Sequence, residues 1–143
     1  MKEFLQSYNN NENVQIKEEE KHFLVSIFIL EKYCFEITIP YDVYEWFVSL
    51  NNYETKENLF SDWSDWYVDA SVGVTKSNIA QYFQKDIECY IAKILSADEI
   101  KIDKDVGLSL FGKKFLKTKI LYVNVNNNWV KLECGDIPND FNP

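Results

Sequence analysis

The apolar positions in the first part of the chain follow the pattern of β-strands. His22 to Leu30 is apolar on both faces apart from Ser26, which predicts a central strand covered on both sides of its sheet. Tyr33 to Ile39 alternates instead, with bulky apolar residues on one face and small or polar residues on the other. Because only two charged residues separate the segments, they predict a β-hairpin.

A second hairpin is predicted near the C-terminus. Lys119 to Val125 and Trp129 to Cys134 are rich in β-branched and aromatic residues, and three consecutive asparagines, 126–128, join them. This arrangement is typical of two antiparallel strands and a tight turn. Shorter apolar segments at Glu99 to Asp103 and Gly107 to Phe111 predict further strands.

Between the hairpins, apolar residues recur at helical spacing. Pro40 ends a predicted strand and is followed by a short predicted helix. The apolar residues of that helix are Val43, Trp46, Phe47 and Leu50. The longest helix is predicted from Asn78 to Leu95, where isoleucine and aromatic residues form one stripe and Ser77 supplies the N-cap.

Another helix is predicted between Leu59 and Ala70, where aromatic residues and acids are most densely mixed. On a helical wheel the aromatic residues lie on one side and three aspartates lie on the other. The competing interpretation is a strand from Trp66 to Val72, since this segment contains residues that favour extended backbone.

The order of strands, then helices, then strands predicts one α+β domain over residues 1–143, with an antiparallel sheet packed against two or three helices. The 143 residues are 46% hydrophobic, which is enough for one core without disulfides. Residues 1–20 are rich in asparagine and charge, so we expect a solvated, mobile lead-in. Residues 135–143 contain two prolines and predict an irregular tail.

The charge of the chain argues against nucleic acid as a partner. There are 23 acidic and 15 basic residues, all the basic ones are lysine, and the net charge is -8. Arginine supplies the fork that grips phosphate and reads guanine, so a nucleic-acid binder without it would be unusual. Codon bias towards A and T is the alternative explanation for the missing arginine.

Cysteine usage and hydropathy predict a cytoplasmic protein. The three cysteines, Cys34, Cys89 and Cys134, are widely spaced and form no CxxC pair, which is typical of buried thiols in a reducing compartment. The N-terminus has no apolar signal core, and the apolar segment from Phe23 to Leu30 is too short to cross a membrane. We therefore expect no membrane partner.

The sequence contains no recognisable catalytic pattern. Its one histidine, His22, lies at the start of a predicted strand, and no cysteine has a recognisable nucleophile setting. No metal or nucleotide motif is present, so we expect no catalytic residue and no cofactor. Two alternatives to a binding protein stay open, namely a small hydrolase that uses paired carboxylates and a structural or assembly subunit.

The segment Phe60 to Asp69 (FSDWSDWYVD) is the candidate binding site because it holds four aromatic residues and three aspartates. Tryptophan and tyrosine are frequent at interface hot spots, and aspartates around them would steer a basic partner. The alternative is that the aromatic residues belong to the core and the aspartates are simply solvated. The predicted partner-binding residues are Asp62, Asp65, Asp69, Trp66, Trp63 and Glu57.

A small, acidic, aromatic-rich chain without a catalytic set resembles the immunity proteins of bacterial polymorphic toxin and contact-dependent inhibition systems. The resemblance lies in overall character across the chain, with no diagnostic motif. It implies a protein that is monomeric when free and neutralises a basic cognate toxin domain by one-to-one occlusion. An acidic face would substitute for phosphate and speed association, and aromatic anchors would slow dissociation.

Overall fold

The larger sheet is an antiparallel meander of five strands. They are β1 Val14–Glu18, β2 His22–Ile29, β3 Tyr33–Pro40, β4 Glu45–Asn52 and β5 Asn58–Asp65, and they lie side by side in chain order. The computed structural model describes residues 1–106, 109–110, 113–114 and 118–143. The first predicted hairpin is confirmed as β2 and β3, whose turn holds Leu30 and Glu31 at positive φ.

The other strands form two smaller sheets. Their bounds are β6 Glu99–Val106, β7 Ser109–Leu110, β8 Lys113–Lys114, β9 Thr118–Val125 and β10 Asn128–Leu132. One sheet has the order β10-β9-β6, and β7 pairs with β8. The predicted C-terminal hairpin is confirmed, with Asn126 and Asn127 at positive φ between β9 and β10. The strand predicted at Glu99 to Asp103 lies within β6; residues 107, 108 and 111 of the other candidate are outside the described residues.

The helices are α1 Lys2–Gln6 and α2 Ile79–Leu95, with a 3-10 turn at Ala70–Val72. Helix α2 confirms the longest predicted helix, although Asn78 occupies the N-cap position in place of Ser77. The α+β class and the antiparallel sheet are thus observed, with one main helix in the part of the chain that the structure describes.

The two shorter predicted helices are wrong, because their segments form β4 and β5. Apolar positions 43, 46, 47 and 50 fit a helical period, but Trp46, Val48 and Leu50 also fit a period of two and are all buried. Pairing of β4 with β3 on one side and β5 on the other selects the strand. The competing strand from Trp66 to Val72 is also wrong, since its second half is the 3-10 turn.

The core lies between one face of the five-stranded sheet, helix α2 and the inward side chains of β9 and β10. Strand β2 shows how the sheet divides, because Phe23, Val25 and Ile27 are buried while Leu24 and Phe28 on the other face are half-buried. The expectation that β2 is covered on both sides is therefore wrong, although it does lie between two other strands.

Both ends of the chain contribute to this arrangement. The predicted lead-in contains α1 and β1, which place Leu5 and Val14 in the core. Residues 133–143 form no helix or strand, but Phe141 packs edge-on against Tyr82 of α2 with ring centroids 5.3 Å apart. Among the described residues, no helix is long and apolar enough to cross a membrane.

Candidate functional site

The face of the five-stranded sheet that points away from the core carries mainly half-buried and exposed side chains, and we call it the outer face. Paired residues of antiparallel strands lie on the same face, so the register defines rows of side chains across it. The first row, here the aromatic row, consists of Lys17, Leu24, Thr38, Phe47 and Trp63. The next row, here the serine row, consists of Gln15, Ser26, Glu36, Ser49 and Ser61.

The aromatic row exposes two large rings to solvent. Phe47 is 42% exposed and Trp63 is 56% exposed. Their rings are stacked, with centroids 6.5 Å apart and an interplanar angle of 22°. Single exposed apolar residues are ordinary, but two adjacent exposed aromatics make this part of the outer face a candidate interaction surface.

Acidic side chains lie on both sides of the aromatic row. Glu36 occupies the middle of the serine row, while Glu45 and Asp65 face each other across β4 and β5 on the far side. Like charges directly opposite each other weaken strand pairing. Within the described ranges, none of these three carboxylates forms an ion pair with a lysine. The outer face therefore combines exposed aromatics with three carboxylates that have no ion-pair partner among the described residues.

Two concavities on the outer face meet at Glu36. One, of about 400 Å³, is lined mainly by the aromatic and serine rows. The other, of about 380 Å³, lies on the opposite side of the serine row and is lined by residues that include Phe28, Asn51 and Tyr53. We call these two concavities together the sheet trough.

The structure separates the six residues that the sequence grouped into one site. Trp63 and Asp65 share the outer face. Asp62 lies on the opposite face of β5, where its Oδ2 accepts the backbone N–H of Cys134 at 3.0 Å. Glu57 is exposed in the turn between β4 and β5, at the other end of β5 from Asp65. Because neighbouring residues of a strand lie on opposite faces, the acidic residues do not form the single acidic face expected of a helix.

Asp69 and Trp66 make contacts within the protein. Asp69 Oδ1 accepts the backbone N–H of Ser71 at 2.9 Å and its hydroxyl at 2.6 Å, which caps the 3-10 turn. These hydrogen bonds lower the pKa of Asp69. Trp66 stacks on Tyr82 with ring centroids 5.6 Å apart. Both side chains therefore have structural partners.

Asp86 of α2 is an important polar residue that sequence reasoning missed. Its side chain is 1% exposed, and its Oδ2 accepts the indole N–H of Trp46 at 2.8 Å and of Trp66 at 2.9 Å. Its Oδ1 accepts the backbone N–H of Gly135 at 2.7 Å. Burial raises the pKa of Asp86, against the effect of these hydrogen bonds. The sequence did contain one sign of this role, because Asp86 is an acidic residue on the otherwise apolar stripe of α2.

The Asp86 carboxylate is closed to solvent and both of its oxygens already have donors, so it stabilises the fold without offering a site for substrate. Burial also raises the pKa of all three thiols, Cys34, Cys89 and Cys134, which lowers the fraction of reactive thiolate at neutral pH. No group of three potential ligands is placed to hold a metal in the part of the chain described.

Fold and surface together define an α+β protein with an open face that is both aromatic and acidic. Comparisons with protein-family models, curated protein sequences and solved structures find no match. The chemistry of the outer face is therefore the basis for assigning a function.

Proposed function

We propose that the protein is an acidic binding module that neutralises a basic protein by one-to-one occlusion, in the manner of a bacterial immunity protein. The observation that carries this proposal is the exposed, stacked pair of Phe47 and Trp63, bordered by Glu36, Glu45 and Asp65. The partner would be a toxin domain with a basic active site. The protein would act in the cytoplasm as a monomer until it meets this partner.

The aromatic pair would supply most of the affinity. Phe47 and Trp63 are about half exposed in the free protein, so a partner that covers them removes apolar area from water. At about 25 cal/mol per Å², covering 100 Å² of apolar surface contributes about 2.5 kcal/mol before the cost of association. Contributions of this size are typical of aromatic hot spots.

The acidic residues would raise the association rate and favour basic partners over others. With a net charge of -8, the protein attracts a basic partner at long range, and such steering raises association rates by about 10- to 1000-fold at low salt. The carboxylates beside the aromatic pair would orient the encounter towards the outer face. The binding site proposed here keeps Trp63 and Asp65 from the sequence prediction and replaces the other members with Phe47, Glu36 and Glu45.

The test starts with capture from the native lysate at low salt, elution at high salt and identification by mass spectrometry. The captured protein is then purified and recombined with this one, and calorimetry measures the stoichiometry while surface plasmon resonance measures the association rate against ionic strength. We expect a 1:1 complex whose association rate falls as salt rises. A purified pair that does not bind, or binds equally fast at all salt concentrations, contradicts the proposal.

Two substitutions locate the interface. Trp63→Ala should weaken binding by about 30-fold or more, as expected for a hot spot worth about 2 kcal/mol. Trp129→Ala is the matched control, because Trp129 is 43% exposed on β10, outside the five-stranded sheet. Equal losses in both variants would remove the outer face from the interface.

The alternatives predict different behaviour. A hydrolase that uses paired carboxylates needs a carboxyl with a raised pKa in an accessible cleft, whereas burial raises the pKa of Asp86 in a site closed to solvent. An assembly subunit would form a stable oligomer on its own. Light scattering across a range of protein concentrations distinguishes that case from a monomer.

A further inference from the structure

Glu36 lines both concavities of the sheet trough, while Asp62 lines the first and Lys56 lines the second. Glu36 lies between Ser26 of β2 and Ser49 of β4, with Ser61 of β5 next in the same row. These neighbours are small, so the half-buried carboxylate lies at the point where the two concavities meet. Deepening the proposed function, and resting on it, we infer that the trough receives an arginine or lysine side chain of the partner, with Glu36 as its acceptor.

Glu36 retains capacity for a cationic donor. Among the hydrogen bonds of the described residues, its one partner is the amide of Asn51, which donates to Oε2 at 3.0 Å. An ionised carboxylate accepts about four hydrogen bonds, so Oε1 and the second lone pair of Oε2 have no donor among the described residues. Lys17, at the end of the aromatic row, pairs with Glu19. Lys56 lines the second concavity together with Glu36, and its ammonium lies 4.1 Å from the centroid of the Tyr53 ring. Neither lysine forms an ion pair with Glu36 among the described residues.

The dimensions of the trough suit a short segment of chain. Successive residues on one face of a strand are about 6.6 Å apart, so the rows on either side of the serine row are separated by about 13 Å. From β2 to β5 the trough runs across three strand spacings, or about 14 Å. That length accommodates about four residues of extended chain. One basic side chain of such a segment would reach the floor.

The apolar walls of the sheet trough can pack against the methylene groups of the partner's arginine or lysine side chain. Arginine and lysine bury their methylene stems on apolar surface while the charged head keeps polar contacts. Phe47 and Trp63 offer that surface, and the faces of their rings attract cations. A guanidinium group would also bind Glu36 through two parallel hydrogen bonds. A neutral segment in the same place would desolvate Glu36 without a charged partner.

The probe is a pair of capped pentapeptides, acetyl-Gly-Leu-Arg-Leu-Gly-amide and its counterpart with neutral citrulline in place of arginine. Each is titrated to millimolar concentration into the ¹⁵N-labelled protein and followed by ¹H–¹⁵N correlation spectra. We expect the arginine peptide to shift the amides of Ser49 and Ser61 and the indole N–H of Trp63. The citrulline peptide should bind at least tenfold more weakly. Equal responses to both peptides, or shifts confined to other surfaces, overturn the inference.

Substitutions test the role of Glu36 itself. Glu36→Gln should weaken the arginine peptide about tenfold or more, while the control Glu57→Gln, an exposed acid in the β4–β5 turn, should leave its affinity unchanged. Ser61→Arg places a cation on the exposed edge of the serine row and should prevent peptide binding by occupying the trough. Unaltered peptide binding in Glu36→Gln or in Ser61→Arg overturns the inference. Spectra that shift with protein concentration alone would also overturn it, because a second copy would then occupy the trough.

The purified partner separates this inference from the proposed function. If Trp63→Ala weakens the complex and Glu36→Gln does not, the cation site is wrong while the inhibitor function stands. If no protein partner binds but the arginine peptide still shifts the trough signals, the cation site stands and the inhibitor function is wrong. Loss of the complex by tenfold or more in Glu36→Gln supports both.

Discussion

The indole N–H of Trp46 donates a hydrogen bond of 2.8 Å to Oδ2 of Asp86, and this contact joins β4 to helix α2 inside the core. Trp46 is fully buried and packs edge-on against Tyr90, one helical turn further along α2, with ring centroids 5.0 Å apart. The same carboxylate holds Trp66, just after β5, and the backbone of Gly135 in the C-terminal tail. One buried acid therefore fixes four segments of the chain and supports the sheet whose other face is open.

Replacing Asp86 with alanine should lower the free energy of unfolding by about 3 kcal/mol. The change leaves two indole N–H groups and one backbone N–H without their acceptor, and each buried donor without a partner costs about 1–3 kcal/mol. Urea denaturation measures the effect. The control is Glu88→Ala on the same helix, which removes a solvent-accessible ion pair with Lys85 and should cost less than about 1 kcal/mol. Equal costs in the two variants would contradict a special role for Asp86.

The free energy of unfolding should vary with pH in the way expected when Asp86 has a raised pKa in the folded state. Burial raises the pKa of its carboxyl above the ordinary value of 3.8, so the folded state binds the proton more tightly than the unfolded state does. The stability contributed by this group is then full below about pH 3.8 and is lost as pH rises through the folded pKa. We expect the difference in unfolding free energy between wild type and Asp86→Asn to fall over that interval and then level off. A difference that grows with pH would show that hydrogen bonding outweighs burial.

Much of the fold could be predicted because its local signals are strong. The stripe of α2 extends over 17 residues and fits no strand, and the asparagines between β9 and β10 tolerate the positive φ that a tight turn requires. Strand β3 was equally clear, since its apolar residues alternate and its other face is polar. In each case local preference and tertiary packing agree.

The candidate site was harder to predict because β4 and β5 break the usual pattern of an exposed sheet face. Phe47 and Trp63 point away from the core, so their segments do not alternate as half-buried strands do. That departure is also what makes the outer face a candidate for binding. Treating the segment as a helix placed Asp62 with Asp65, whereas the strand places them on opposite faces.

The three thiols should be unreactive in the folded protein. Burial raises the pKa of Cys34, Cys89 and Cys134, and the negative charges of Asp62 and Asp86 raise that of Cys134 further. Because the thiolate is the reactive form, each unit of pKa above the ordinary value lowers its population tenfold. Reaction of Cys134 with Ellman's reagent at pH 7.5 should be at least about 100-fold slower in native protein than in urea, and Cys34 and Cys89 should also react more slowly in the native state. A thiol that reacts within seconds in the native state would contradict its burial and raised pKa.

Removing the charge of Glu45, which faces Asp65, should raise the stability of the protein and slow its association with the proposed partner. The two acids face each other across β4 and β5, so Glu45→Gln removes a like-charge contact and should raise the free energy of unfolding by about 0.5 kcal/mol. If the pair serves to attract a basic partner, the same change should slow association with that partner and reduce the dependence of its rate on salt. Glu12→Gln, an exposed acid before β1, is the control for loss of one negative charge far from the outer face. A variant that is more stable yet binds as fast as the Glu12→Gln protein would mean that the paired acids lie outside the interface.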